Sequence, residues 1–235
     1  MESGKKIVIE VMYKTVSDPM KYWIIGSGKF GVRAAEILYQ KHPSARITLV
    51  DSNPESLAGL NLPCKIVCTD GIGFLVEALE SGEMPDWVVP CIPVHLAFRW
   101  LAKSLLPACH LEVLRVPESL IYQLPNPFRG PNLELYVSFA DFLCPEDCPE
   151  PTERCTATGR PRKGEMFRFL AETDASPYKM VVLQSRQLAP GVGGYTPAAM
   201  FEARNRVCNS GSEILFATAC RCQGVINALS ISPIP

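Results

Sequence analysis

The run Tyr22-Trp23-Ile24-Ile25 passes straight into Gly26-Ser27-Gly28-Lys29-Phe30-Gly31, and the helical spacing of Val32, Ala35, Ile37 and Leu38 begins at once. An apolar strand that enters a helix through three glycines admits few folds, because strand, turn and helix must pack closely. A second strand, Ile47-Thr48-Leu49-Val50, ends on Asp51, 20 residues after Gly31. Together these place a G-x-G-x-x-G fingerprint in the context that gives it meaning. The first glycine suits a tight turn, the second lets backbone approach a pyrophosphate, and the third lets helix meet strand. Unpaired N–H groups of the helix's first turn face the phosphates. The expected contacts are Gly26, Gly28, Lys29, Phe30 and Gly31, with Asp51 and its neighbour Ser52 at the adenosine ribose. Ser52, Asn53 and Pro54 follow without an early arginine for a 2′-phosphate, which favours NAD(H) or another adenosine nucleotide over NADP(H). The ordinary alternative is a glycine-rich turn that holds no ligand.

A chain of 235 residues lies between one large domain and two small ones. Folding at that length buries roughly 70–75% of the unfolded surface, enough for a full sheet-and-helix core. The formal charge is −1 and no run of five basic residues occurs, so neither nucleic acid nor an anionic membrane is indicated as a partner. Met1 to Lys14 is charged and lacks an apolar signal core, which predicts a cytoplasmic protein. The most hydrophobic stretch, Trp87 to Phe98, has 12 residues and two prolines. It is too short to span a bilayer, so no membrane insertion is expected.

Strands and helices alternate from Lys21 onward. Phe30 to Gln40 reads as a helix, Lys65 to Cys68 as a strand and Phe74 to Leu79 as a helix. Trp87 to Cys91 reads as a strand, Val94 to Leu106 as a helix and Leu111 to Val116 as a further strand. That order predicts an α/β fold with a doubly wound, mostly parallel sheet. Residues 1–20 read as an N-terminal extension with an edge strand over Lys6–Val11, residues 21–120 as a nucleotide-binding domain, and residues 121–235 as a cysteine-rich α/β region that extends or caps the sheet. In that region Leu133–Phe139, Tyr178–Leu183 and a last strand, Glu213–Thr218, flank helices over Glu165–Glu172 and Pro197–Val207.

Ten cysteines are the second unusual feature. Without a signal peptide they are poor candidates for structural disulfides. Cys144, Cys148 and Cys155 sit in a 20-residue loop, Cys144 to Lys163, that has almost no apolar content. Something other than a core must hold such a loop, and a metal clip is one device that does. Cys220 and Cys222 each lie just past a predicted strand, as Cys144 does, so parallel neighbouring strands would deliver all five to one edge. The Cys-Pro pairs favour an iron–sulfur cluster, while the Cys144–Cys148 spacing also suits zinc. Unligated thiols are the plain alternative.

Asp70 follows the third strand, where the adenine end of a nucleotide would lie; it could equally cap the next helix. Pro93 and His95 follow the fourth strand near the middle of the cofactor. His95 is the weak acid–base candidate, against a packing role. Gln187 to Tyr195 reads as a second glycine-rich loop reaching over a ligand, with Arg186 as an anion clamp.

Residues 22 to about 95 resemble NAD-binding Rossmann domains, most of all the nucleotide-sensing domains of bacterial potassium-uptake regulators (the RCK type). The residues that carry the resemblance are Gly26, Gly28, Gly31, Asp51 and Asp70; Thr69 departs from the glycine usual in that group. The resemblance implies an adenine dinucleotide ligand and covers under half of the chain. The combined expectation is an NAD(H)-binding redox protein with a cysteine-ligated metal centre. The alternatives are a non-catalytic nucleotide or redox sensor, and a nucleotide-binding protein with structural zinc. The expected partners are a small-molecule nucleotide, a possible second copy of the chain, and a redox or regulatory protein.

Overall fold

A computed structural model describes residues 18–234. The edge strand expected over Lys6–Val11 lies outside the described residues. The protein is a mixed α/β fold built on two main sheets. The first contains strands β1 (Lys21–Ile25), β2 (Arg46–Asp51), β3 (Lys65–Cys68) and β4 (Trp87–Pro90). All are parallel, in the order β3-β2-β1-β4. Helices α1 (Lys29–Lys41), α2 (Pro54–Leu57), α3 (Gly71–Glu80) and α4 (Leu96–Leu105) connect and follow them. The chain lays down β1, β2 and β3 to one side and then returns to set β4 on the other side of β1. The order therefore reverses between β1 and β4.

The second sheet follows β5 (Cys109–Leu114) and α5 (Glu118–Ile121). It comprises β6 (Phe128–Arg129), β7 (Leu135–Ser138), then, after α6 (Met166–Glu172), β8 (Lys179–Gln184). The hairpin β9 (Arg186–Ala189) and β10 (Val192–Gly194) and helix α7 (Pro197–Cys208) precede its last strands, β11 (Glu213–Ala219) and β12 (Gln223–Pro233). The order is β6-β7-β12-β11-β8, with β5 also on β12.

Strand periodicity explains the layering. In β1, Tyr22 and Ile24 join Ala34, Ala35 and Leu38 of α1 on one face, while Trp23 and Ile25 face the other way. That other face packs on α3 and α4, and α7 completes a shared core with Val181, Phe216 and Leu229 of the second sheet. The far face of the second sheet, including Leu135, Leu215 and Ala217, is covered by Met166 and Leu170 of α6. Helices thus cover both faces of each sheet and are shared between them.

Three expectations need correction. The strand near Leu111–Val116 does not join the parallel sheet; β5 runs antiparallel on β12. Its sequence, Cys109-His110-Leu111-Glu112-Val113-Leu114, places polar residues at alternate positions, which a doubly buried parallel strand does not tolerate. The outer edge of β4 is instead met by Tyr195, whose N–H bonds the Val88 carbonyl at 3.0 Å and whose carbonyl accepts from Val88 N at 2.9 Å. Second, the last strand is β12, eleven residues at the centre of its sheet. Its Ala, Asn and Ser content gives it a weak strand signature, and pairing with β5, β7 and β11 overrides that. Third, β7 and β11 are parallel to each other without being neighbours, because β12 lies between them.

Candidate functional site

The glycine turn divides its three glycines by role. Gly26 has φ +106, and a Cβ there would lie 2.5 Å from the Cys91 carbonyl oxygen. A Cβ on Gly31 would lie 1.8 Å from the Gly26 oxygen, so this glycine is demanded by helix–strand approach. Gly28 differs: nothing stands within 4 Å of its would-be Cβ. It is also the N-cap of α1, without a side-chain cap and without an acidic residue in the first turn. The amides of that turn are open to an anion, and the protein itself makes no demand for glycine at 28.

Asp51 is turned onto this turn. It accepts from Ser27 N at 2.7 Å, Ser27 Oγ at 2.9 Å and Asn53 N at 2.9 Å. Burial raises its pKa, but the bonds from Asn53, Ser27 and Ser52 outweigh that and hold the carboxyl below the ordinary range. These donors fix the carboxylate against the glycine turn. Ser52 and Pro93 are exposed at the ends of β2 and β4.

Asp70 takes the capping role. Its carboxylate accepts from Gly73 N at 2.7 Å and pairs with Lys103 at 3.6 Å. His95 is not an accessible acid or base. It is 5% exposed, with Nδ1 2.8 Å from Asn227 Oδ1 and Nε2 2.7 Å from Thr218 Oγ1. Its ring also stacks on Phe98. Burial lowers its pKa to about 4, so a neutral imidazole ties α4 to the second sheet.

Main-chain and polar bonds hold the cysteine loop. Cys155 N bonds the Arg160 oxygen at 2.9 Å, Gln187 Nε2 donates to the Cys148 oxygen at 2.6 Å, and Arg221 N donates to Glu150 Oε1 at 2.7 Å. Gly191, at φ +73, lets the loop pass: a Cβ there would lie 1.7 Å from the Glu146 oxygen. Gln187 to Tyr195 is therefore the β9–β10 hairpin that supports the cysteine loop, and Arg186 is exposed on it. The loop also reaches the glycine turn. Glu146 pairs with Lys29 at 2.7 Å, and its carbonyl accepts from Arg33 at 3.0 Å.

The structure brings distant cysteines together. Cys144, Cys148, Cys155 and Cys222 line one cavity of about 190 Å3, with Arg160, Arg162 and Lys163 on the same wall. A second cavity, about 480 Å3, shares Cys144, Cys148 and Cys222 with it and extends to Phe30 at the start of α1. Cys220 lines only this second cavity. The hydroxyl and amide of Thr158 hold the Cys155 thiol below its usual pKa, aided by the Ala157 amide. Burial, and then the charges of Cys222, Cys148 and Cys155, raise that of Cys144. Burial raises Cys220 to about 12, with Glu150 adding to the effect. Among the described residues, no group of three or more His, Cys, Asp or Glu side chains is so gathered that it could hold a metal ion. The four thiols surround a space without closing on one point.

A family model described as the C-terminal domain of an uncharacterized protein matches residues 97–232, more than half of the chain. The chain belongs to that family. An uncharacterized protein of Archaeoglobus fulgidus is 32% identical over 223 residues, spanning 88% of this chain and 97% of its own length. The family match takes in the whole cysteine region and β5 to α7, and starts after the glycine turn.

Two site residues were missed by sequence reasoning: Glu146 and Glu150 act across 117 and 71 positions of chain. Arg162 Nη1 donates to Cys222 Sγ, while its Nε is buried without a partner. Thr156 to Lys163 carries Arg160, Arg162 and Lys163, three positive charges that the sequence offers to a phosphate or an anionic cluster.

Proposed function

We propose that the protein is an NAD(H)-binding redox protein with a Rossmann-like, doubly wound first half and a cysteine-ligated iron–sulfur centre beside the nucleotide. One observation carries this reading. Four cysteines from two distant segments line a single cavity, and the loop bearing three of them is bonded to the first turn of the glycine-loop helix. Support for the nucleotide comes from the order β3-β2-β1-β4, its switch point at β1 and β4, and open space around Gly28, where backbone could approach a pyrophosphate. Gly26, Gly28, Gly31 and the first-turn amides at Lys29 and Phe30 would hold the pyrophosphate. Asp51, at the end of β2 beside the turn, would face the ribose hydroxyls. NAD(H) suits this site better than NADP(H), since a 2′-phosphate would meet the Asp51 carboxylate.

The spread of the cysteines favours a cluster over zinc. Tetrahedral zinc with Zn–S bonds of about 2.3 Å draws its sulfurs to about 3.8 Å from one another. Four cysteines lining one cavity, not gathered closely enough to hold a single ion among the described residues, suit a polynuclear centre. Held by Cys144, Cys148, Cys155 and Cys222, such a centre would supply one-electron chemistry beside the nucleotide. A sensing role is the second reading. It is favoured by the Lys29–Glu146 pair, which a bound phosphate would compete for.

Anaerobically purified protein tests the proposal. The expected result is a brown solution containing iron and acid-labile sulfide, with a melting temperature raised by NADH. Colourless protein with one zinc per chain would overturn the cluster, and an unmoved melting temperature would overturn the nucleotide. Oxidation of NADH with ferricyanide as electron acceptor separates a redox catalyst from a sensor that only binds.

A further inference from the structure

We infer that the ligands of the centre are Cys144, Cys148, Cys155 and Cys222, that Cys220 stays outside the set, and that Arg162 positions the Cys222 thiolate. This rests on the reading of a cysteine-ligated centre and decides which thiol of the C-x-C pair belongs to it. Both cysteines lie in the short turn between β11 and β12, yet their surroundings differ. Phe139 N bonds the Cys222 oxygen at 2.9 Å, fixing Cys222 beside the exit of β7, from which the chain runs to Cys144. The Cys220 oxygen is taken by Phe167 N at 3.2 Å, on the side of α6. Cys220 Sγ accepts from Cys222 N at 3.4 Å, and Cys220 is absent from the wall of the smaller cavity. Cys220 lines only the larger cavity, so the smaller one, where Cys144, Cys148, Cys155 and Cys222 meet, is complete without it.

Arg162 supplies an independent observation. A guanidinium that spends one N–H on a thiol sulfur and buries another donor unpaired is costly unless anionic charge is present. Four thiolates on a doubly charged core carry about −2, a charge that Arg160, Arg162 and Lys163 on the same wall would offset. A donor on a cluster sulfur withdraws electron density and raises the reduction potential. It also holds the ligand in position, and loss of such a partner weakens metal binding by about tenfold or more.

The test uses the full chain, reconstituted anaerobically with iron and sulfide, and reads iron and sulfide content, the electron paramagnetic resonance of the reduced state, and the midpoint potential. C144S and C222S are expected to fall below about a tenth of wild-type iron, and C220S to retain the wild-type content and spectrum. R162Q is expected to keep a centre that is stripped about tenfold faster by a chelator and has a more negative potential, with R162K restoring part of both. Circular dichroism of the metal-free variants establishes that each is folded. Loss of iron in C220S with retention in C222S would overturn the ligand assignment and leave the centre standing. An unchanged potential in R162Q would overturn the role of Arg162. Full iron in C144S would instead overturn the centre on which the inference rests, so the two failures are distinguishable.

Discussion

The glycine turn and the cysteine loop lie side by side and are built by opposite means. The turn is made by main-chain closeness over six consecutive residues, and a Cβ at Gly26 or Gly31 would collide with backbone oxygen. The loop has little core of its own and is held by bonds to partners far along the chain, such as Gln187, Arg221 and Cys222. The first is rigid because of packing, whereas the second depends on polar partners and, in our reading, on a metal. Perturbations should therefore separate the two.

Gly31→Ala and Gly191→Ala should have the largest effects, each destabilising by about 3 kcal/mol through forced displacement of backbone. Urea denaturation would measure the loss. G31A should abolish nucleotide binding; G191A should empty the cysteine site and spare the nucleotide shift. Equal loss of both functions in G191A would mean that the two regions form one unit.

His95 links the sheets and gives a pH dependence belonging to neither site. Its imidazole is neutral when folded, with a pKa near 4, and the unfolded chain binds its proton near pH 6.5. Stability from this group is complete above about pH 6.5 and falls as pH drops toward 4, by about 3 kcal/mol at most. In His95→Gln that slope should flatten when stability is measured between pH 7 and 4. An unchanged slope would assign the acid sensitivity to other groups.

Gly28→Val sharpens the comparison from the other direction. Because open space surrounds this Cβ, stability should change by less than about 1 kcal/mol, while the NADH-induced melting shift disappears. A retained shift would remove the pyrophosphate from the turn. Glu146→Gln should do least. The Lys29 pair is exposed, so the melting temperature should stay put, while freeing Lys29 should tighten NADH binding about two- to fivefold at low salt. Calorimetric titration at two salt concentrations would read the gain and its screening.

What was legible in the sequence follows the same division. The strand–glycine–helix unit is local, so Tyr22 to Leu38 could be placed from spacing alone, and Asp51 arrived at its end. The grouping of Cys144, Cys148 and Cys155 with Cys222 was legible only as a guess about sheet edges. It came about although β7 and β11 are not neighbours, because both run antiparallel to β12 and so end at one edge. Glu146 was not legible as a site residue, since nothing local distinguishes it from a solvated charge, whereas Arg162 was legible only as one of three positive charges in the cysteine loop. His95 misled for a related reason: its partners Thr218 and Asn227 lie more than 120 positions away. Asp70 caps α3, one of the two roles its place after the third strand offered, and its carboxylate stays exposed.

The visible and electron paramagnetic resonance spectra of the iron-loaded chain, recorded under anaerobic conditions before and after NADH, test the adjacency of nucleotide and centre most directly. The account predicts a centre whose absorbance bleaches, or whose resonance shifts, when NADH is added to the wild type and not to Gly28→Val. A fully loaded centre whose spectra ignore NADH at saturating concentration would contradict it.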